Sequence, residues 1–388
     1  MSRIDDLIKE KCPNGVKYKK LNELIDYIQP TKYIVNDTNY SNNYKVPVLT
    51  AGQTFILGYT NEDDGIYRAN KDNPVIIFDD FTTSNHWIDF NFKVKSSAMK
   101  ILVPKTNNNF KYIYYCISNI KYVPKEHSRQ WIQNFSEFKI PLPPLAVQEE
   151  IVKILDKFEE LEAELEAELE ARKRQYRFWR GNLFYRIQEK SRVMKINEIC
   201  KNISSGGTPL TSNSFFYDGD IPWLRTQEID FGKIYDTSIK ITDEAIKKSS
   251  AKIIPANCVI VAMYGATVGK VSINKIPLST NQACCNLEID EKIASYEYVF
   301  YWFLHNYEYI KSLGQGSQTN INARVIKNLE ISIPSLEEQE KIVSILDNFD
   351  KLVNDMSEGI PAEIELRRQQ YEYYRNKLLS FEELSVSE

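Results

Sequence analysis

From Leu145 to Ile187 apolar side chains return every three or four residues, and Ile151, Ile154, Leu155, Phe158, Leu161, Leu165 and Leu169 fall on one face. The spacing predicts one helix over the whole stretch, on the order of 60 Å long at about 1.5 Å per residue. Its middle reads LEAELEAELEAR (161–172), a Leu-Glu-Ala-Glu beat that closes on Arg172 and contains only strong helix formers. Acids come early and bases late (Arg172, Lys173, Arg174, Arg177, Arg180), the order that the helix dipole favours. A second stripe, Ile342, Ile345, Leu346, Phe349, Val353 and Met356, predicts another helix. Gly359 and Pro361 break or kink it before it resumes over residues 363–379. Elsewhere PVIIF, CVIVAMY and LEISIP read as short strands, and FKYIYYCISNI and YEYVFYWFLHNY as aromatic-rich helices.

This pattern is written twice. IPLPPLAVQEEIVKILDKF (140–158) matches ISIPSLEEQEKIVSILDNF (331–349) at 11 of 19 positions. Arg172, Gln175, Tyr176, Arg180 and Leu183 recur as Arg367, Gln370, Tyr371, Arg375 and Leu378. Upstream the copies diverge but remain traceable: LNEL faces INEI, VPVL faces IPWL, VIIF faces VIVA, and YIYYC faces YVFYW. A divergent segment is thus followed by a closely kept helical one, and the pair repeats.

The fold class that follows is α+β: two similar globular domains separated by two long antiparallel helices, with pseudo-two-fold symmetry. The expected boundaries are 1–143 and 189–334 for the globular domains, 144–188 and 335–381 for the helices, and 382–388 for a tail. Helix one leads from the first domain to the second, and helix two returns. The basic end RKRQYRFWR of helix one is then expected beside the acidic start of helix two, Glu337, Glu338, Glu340, Asp347, Asp350 and Asp355.

The 388 residues suffice for two or three cores. No run of about 18 apolar residues and no signal-peptide pattern occurs, so no membrane partner is expected. Six cysteines without CxxC spacing suggest a reducing, cytoplasmic setting, and three scattered histidines give no zinc site. The net charge of −4 is uneven: +2 over 1–150, zero over 151–190, +1 over 191–334 and −7 over 335–388. Any DNA affinity must therefore come from local patches and be salt-sensitive.

No constellation for catalysis emerges. GATVGKV (265–271) has one residue too few between its glycines for a P-loop, and Val271 where Ser or Thr would hold Mg²⁺. GQGSQTN lacks the third glycine of a dinucleotide fingerprint, and Glu288, Asp290 and Lys292 read as a charged turn. The polar clusters look instead like readers. HSRQWIQNF sets Arg129, Gln130, Gln133 and Asn134 around Trp131. GQGSQTNINAR sets Gln315, Gln318, Asn320, Asn322 and Arg324 in a Gly-rich loop. Both precede the strand that feeds a helix. Arg can pair bidentately with guanine, and Asn or Gln with adenine, while loop amides and hydroxyls hold phosphates. SGGTP (Ser205, Thr208), WLRTQEI (Arg225, Gln227), MYGATVGKV (Lys270) and STNQ are further candidates, each with a polar turn as its plain alternative.

With SGGTP, IPWLRTQEI, MYGATVGKV, STNQ, GQGSQTNI and the doubled Pro-x-Leu-x-x-Gln-x-x-Ile-Val block, the chain resembles the specificity subunits of type I restriction–modification enzymes over essentially its whole length. The resemblance implies that each variable domain is a target recognition domain reading one half of a bipartite double-stranded DNA sequence. It implies that the helices set the spacing and dock two modification (methyltransferase) subunits. S-adenosylmethionine belongs to those partners and ATP to restriction (translocase/endonuclease) subunits, so this chain has no cofactor and no catalytic residue of its own. Domain one departs from the pattern, with YIQPTKY and FDDFTTSNHW where domain two has SGGTP and MYGATVGKV. The two domains should therefore read different half-sites.

Two other readings compete: a coiled-coil adaptor holding two protein-binding domains apart without nucleic acid, and a self-sufficient nuclease or methyltransferase. The LEAE beat also gains a role. Each unit adds about 6 Å and about 40° of excess rotation, against about 3.4 Å per base pair. It is expected to act as a ruler between half-sites, and known relatives with such repeats support that.

Overall fold

Gln148 and Gln339 explain why one short block is kept twice. Both are buried, each at the start of a helix. Gln148 Nε2 donates to Pro143 O at 2.8 Å and its Oε1 accepts from Asn109 N at 3.0 Å. Gln339 Nε2 donates to Pro334 O at 2.9 Å and its Oε1 accepts from Ser295 N at 2.8 Å. Each carboxamide thus joins the incoming strand, the new helix and the aromatic helix behind it, and satisfies backbone groups that burial would otherwise orphan.

The computed structural model describes residues 2–50, 54–124, 126, 128–188, 191–314 and 320–384. Contacts divide the chain into unit 1, Met1–Leu165 with Ile364–Glu388, and unit 2, Glu166–Glu363. The predicted long helix is continuous over Leu145–Gln188, 44 residues. Its partner is two helices of 19 residues, Leu336–Asn354 and Ile360–Leu378. Asp355 makes the break, its Oδ1 accepting from Ser357 N at 2.7 Å and Glu358 N at 3.2 Å. Gly359 is needed there, because a Cβ would lie 2.6 Å from the carbonyls of Asp355 and Lys351.

In unit 1 a four-stranded antiparallel sheet runs in the order Ile25–Ile28, Met99–Pro104, Val75–Asp79, Asn85–Ile88. A smaller sheet has Val46–Leu49 at its centre, parallel to Lys93–Val94. Unit 2 repeats the plan. Cys200–Ser205, Cys284–Ile289, Val259–Ala262 and Val271–Asn274 follow in the same order, with Lys233–Ile234 added at the edge. Ile221–Leu224 runs parallel to Leu278–Thr280 in its second sheet.

The aromatic helices, Phe110–Ser118 and Tyr296–His305, are also tied alike. Tyr115 Oη donates to Asp156 Oδ1 and Tyr301 Oη to Asp347 Oδ1, both at 2.5 Å. Tyr112 Oη donates to Pro141 O at 3.1 Å and Tyr298 Oη to Ser332 O at 2.5 Å.

Helix seams occur within each unit. In unit 1, Glu162 meets Arg368 at 2.6 Å, Glu159 accepts from Tyr371 at 3.2 Å, and Phe158 packs on Tyr374 with ring centroids 5.5 Å apart. Ascending numbers on one helix meet descending numbers on the other, so the two run antiparallel. In unit 2, Tyr176 stacks on Phe349 with centroids 6.1 Å apart. The expected charge pairing is partly relocated there, since Asp347 lies 4.0 Å from Lys233 of the edge strand. Residues 382–384, expected as a tail, pair with Val16: its N donates to Glu382 O at 2.8 Å, and Leu384 N donates to Val16 O at 2.9 Å. Among the described residues no helix is long and apolar enough to cross a membrane, and no group of three His, Cys, Asp or Glu could hold a metal ion.

Candidate nucleic-acid interface

In unit 2, polar loops spread over about 120 residues of sequence meet on one side of the sheets. SGGTP folds onto STNQ. Gly207 N donates to Thr280 O at 2.9 Å, Thr208 Oγ1 donates to Gln282 Oε1, and a Cβ on Gly206 would overlap the Thr280 carbonyl. WLRTQ joins through Asn281 N to Leu224 O at 2.9 Å and Trp223 Nε1 to Gly207 O at 3.0 Å. MYGAT is held on both sides, Met263 N donating to Ala283 O at 2.8 Å and Ile321 N to Met263 O at 3.0 Å.

The candidate side chains on these loops differ in what they offer. Thr208, Gln227, Asn322 and Arg324 are exposed, and Ser205 and Arg225 are half-buried. Arg225 lies 3.7 Å from Glu228 and donates to Ser238 Oγ at 3.3 Å, but its buried Nε has no hydrogen-bond partner among the described residues. Lys270 is held by Asp230 at 2.6 Å and lies over the Phe231 ring. Asn320 Oδ1 accepts from Gly265 N at 3.2 Å, linking the two loops. Asn322 caps the short helix Ala323–Lys327, accepting from Arg324 N at 3.0 Å and Val325 N at 3.1 Å, which leaves its amide nitrogen to face outward contacts. Gln315 and Gln318 lie outside the described residues.

In unit 1, Arg129, Gln133 and Asn134 are exposed, whereas Gln130 is buried at 1% exposure. Its Oε1 accepts from Tyr122 Oη at 2.8 Å and Asn134 Nδ2 at 3.0 Å, and its Nε2 donates to Ser128 O at 2.8 Å and Ser128 Oγ at 3.1 Å. The carboxamide has no capacity left for a base edge. Gln130 shapes the loop that presents Arg129 and Asn134, and its polarity in the sequence could not reveal that inward turn.

The two faces sit at equivalent places. Asp80 N donates to Ala98 O at 2.9 Å and Gln130 N to Asp80 O at 2.8 Å, the same two bonds that hold Met263 to Ala283 and Ile321. Beneath the unit 1 face lies a group that motif reading missed. Lys100 is fully buried, 3.5 Å from buried Asp80, with Trp131 N donating to Asp80 Oδ1 at 2.8 Å. Burial pushes the lysine below its ordinary pKa; Asp80 opposes that shift and Arg129 adds to it. The only sequence signal was a lysine inside an otherwise apolar strand, MKILVP.

Two copies of one α+β unit, each presenting a polar loop face beside a kept strand-to-helix junction, define a class: duplicated recognition proteins built on a helical frame. A family model described as the type I restriction modification DNA specificity domain matches residues 13–171 and 188–366, and the chain belongs to that family. It is 42% identical over 393 residues to the type I restriction enzyme EcoR124I/EcoR124II specificity subunit of Escherichia coli, covering 96% of each chain. It is 30% identical over 407 residues to a putative type I restriction enzyme specificity subunit of Haemophilus influenzae, covering 96% of this chain and 98% of that one. The crystal structure of the type I restriction–modification S subunit from M. genitalium shares the fold, with a TM-score of 0.59 at 14% identity over 95% of this chain and 97% of that one. The role this places on the chain is DNA sequence specificity in a type I restriction–modification system.

Proposed function

We propose that unit 1 and unit 2 each read one half of a bipartite site in double-stranded DNA, with residues 1–143 and 189–334 as the two target recognition domains. The carrying observation is the duplicated scaffold with two chemically different loop faces at equivalent places. Arg129, Gln133 and Asn134 serve one half-site. Ser205, Thr208, Arg225, Gln227, Lys270, Asn320, Asn322 and Arg324 serve the other, with Gln315 and Gln318 assigned to it from the sequence alone. Gln130 acts by positioning. The helices over 144–188 and 335–381 dock two modification subunits, which supply S-adenosylmethionine and the methyl transfer. Restriction subunits bring ATP-driven chemistry, and the chain itself reads without catalysing, in the cytoplasm.

Methylation mapping in cells carrying this chain with its modification subunit tests the reading. Two short motifs at a fixed spacing are expected, and one continuous motif, or none, would sink it. Deleting one LEAE unit removes about 6 Å of helix. The spacer is expected to change by one or two base pairs with both half-sites kept, and an unchanged spacing would refute the ruler.

A further inference from the structure

We propose that Tyr264 and Phe81 are a matched pair of base-stacking side chains, one in each unit, each packing its ring against a base of its own half-site. The proposal rests on the reading of the units as half-site readers. The hairpins that carry these residues close in the same way. Asp79 N donates to Ser84 O at 2.8 Å, and Ala262 N to Lys270 O at 2.9 Å. Thr83 N returns to Asp79 O at 2.9 Å, and Gly269 N to Ala262 O at 2.8 Å. Thr83 and Gly269 both have positive φ, 65° and 81°. The next residue after each closing position, Asp80 or Met263, is pinned to the neighbouring strand and to the reading loop by the paired bonds described above. An aromatic side chain then follows at once in both loops, although 263–269 is longer than 80–83.

Tyr264 is 41% exposed, and Phe81 is half-buried. At the next residue, a Cβ on Gly265 would meet nothing within 4 Å among the described residues. Polar candidates lie next along the same loops: Gln130 N bonds Asp80 O at 2.8 Å, which brings Arg129 beside Phe81 in the chain path, and Asn320 Oδ1 accepts from Gly265 N at 3.2 Å, next to Tyr264. What the two positions share is a ring, since only Tyr264 has a hydroxyl. A ring face stacks on any base, and apolar side chains that enter a duplex open a base step and bend it. The rings therefore supply affinity and a fixed point of local opening, and their polar neighbours supply base identity.

The test uses the full chain in complex with its modification subunits, on a duplex carrying its mapped target. Tyr264→Leu and Phe81→Leu keep apolar bulk and remove the stacking face. Each is expected to weaken target binding about 10- to 100-fold, and Tyr264→Phe to stay within about twofold of wild type. 2-Aminopurine scanned through the target is expected to report base unstacking that each Leu variant removes in one half-site only. Wild-type affinity and signal in Tyr264→Leu, with target preference intact in the wild-type chain, would overturn the stacking role alone. Loss in Tyr264→Phe as large as in Tyr264→Leu would overturn it by assigning the contact to the hydroxyl. A wild-type complex without target preference would overturn the half-site reading and this inference together. If Phe81→Leu does not fold, the two Tyr264 variants decide the matter.

Discussion

At the base of its reading hairpin, unit 1 buries Asp80 against Lys100, whereas unit 2 puts Met263 and Cys285 at the same two places. The register shows the correspondence. Phe78 pairs with Lys100 and Val261 with Cys285 in their sheets, two residues before Asp80 and Met263 respectively, which shifts by one residue the match of VIIF to VIVA expected from the sequence. The backbone bonds around each site are the same. The Cys285 thiol is pushed up to about 12 by burial, so unit 2 holds an uncharged pair where unit 1 holds an ion pair. The backbone frame tolerates opposite chemistries because the two bonds at Asp80 or Met263 are backbone to backbone, although in unit 1 the Asp80 carboxylate also satisfies Trp131 N. What changes is the electrostatic ground under the reading loop: Arg129 stands over a buried lysine–aspartate pair, and its counterpart Asn320 over apolar side chains.

The largest effect is expected from removing half of that pair. Asp80→Ala strands Lys100 without its acid and should cost about 3–5 kcal/mol. The double change Asp80→Met with Lys100→Cys, which copies unit 2, should recover most of that loss, short of the about 1–3 kcal/mol for leaving Trp131 N without its Asp80 acceptor. Urea unfolding followed by fluorescence reports this, since Trp131 is bonded to Asp80. Equal losses in the single and double variants would break the comparison. The pH dependence has a definite sign. A lysine whose folded pKa lies below its unfolded value, ordinarily 10.5, makes the folded state bind fewer protons in the window between the two. Stability lost through Lys100 is therefore regained as pH rises through that window, so the Asp80→Ala deficit relative to the double variant should shrink toward pH 10.5.

A smaller and equal effect is expected where the units agree. Gln148→Leu and Gln339→Leu each leave a buried amide N–H and a proline carbonyl without a partner, at about 2–3 kcal/mol. Thermal unfolding of both variants measures it. A marked inequality would mean that the doubled block is kept for different reasons in the two copies.

The parts of the fold that recur were also the parts legible in the sequence. The repeat located both glutamines, the 44-residue helix followed from its leucine spacing, and a break at Gly359 was expected; it comes earlier than the spacing predicts, over residues 355–359, so that Met356 lies outside the first helix and Pro361 sits in the first turn of the second, where proline is tolerated. These features depend on local pattern and on comparison of one copy with the other. The reading faces were legible only as polar loops. Gln130 and Gln133 have the same chemistry and lie three residues apart, yet one turns inward to Tyr122 and Ser128 while the other faces solvent. The convergence of SGGTP, STNQ and MYGAT depends on strand order that no single motif encodes. Lys100 finds Asp80 across a sheet, 20 residues away.

The smallest predicted effect concerns one methylene. In unit 1, Tyr371 Oη donates to Glu159 at 3.2 Å, and Arg375 Nε donates to Asn119 Oδ1 at 3.2 Å. The repeat places Asp350 where unit 1 has Glu159, and Tyr176 and Arg180 where it has Tyr371 and Arg375. The shorter carboxylate of Asp350 is engaged by Asn354 Nδ2 at 2.8 Å, and the buried Tyr176 Oη and Arg180 Nε have no hydrogen-bond partner among the described residues. Burial, with Asp347 nearby, raises the Asp350 carboxyl above its ordinary pKa, as expected where few donors reach it. Asp350→Glu extends the acid toward the orphaned hydroxyl and should stabilise unit 2 by about 1 kcal/mol. The reverse change in unit 1, Glu159→Asp, should lose a similar amount by orphaning Tyr371. Matched shifts of opposite sign in the unfolding midpoints would show that the two seams differ by the reach of one side chain. A loss in both variants would mean that the seams had diverged in packing as well, and that Tyr176 is held by its ring contacts with Phe349 and Arg180.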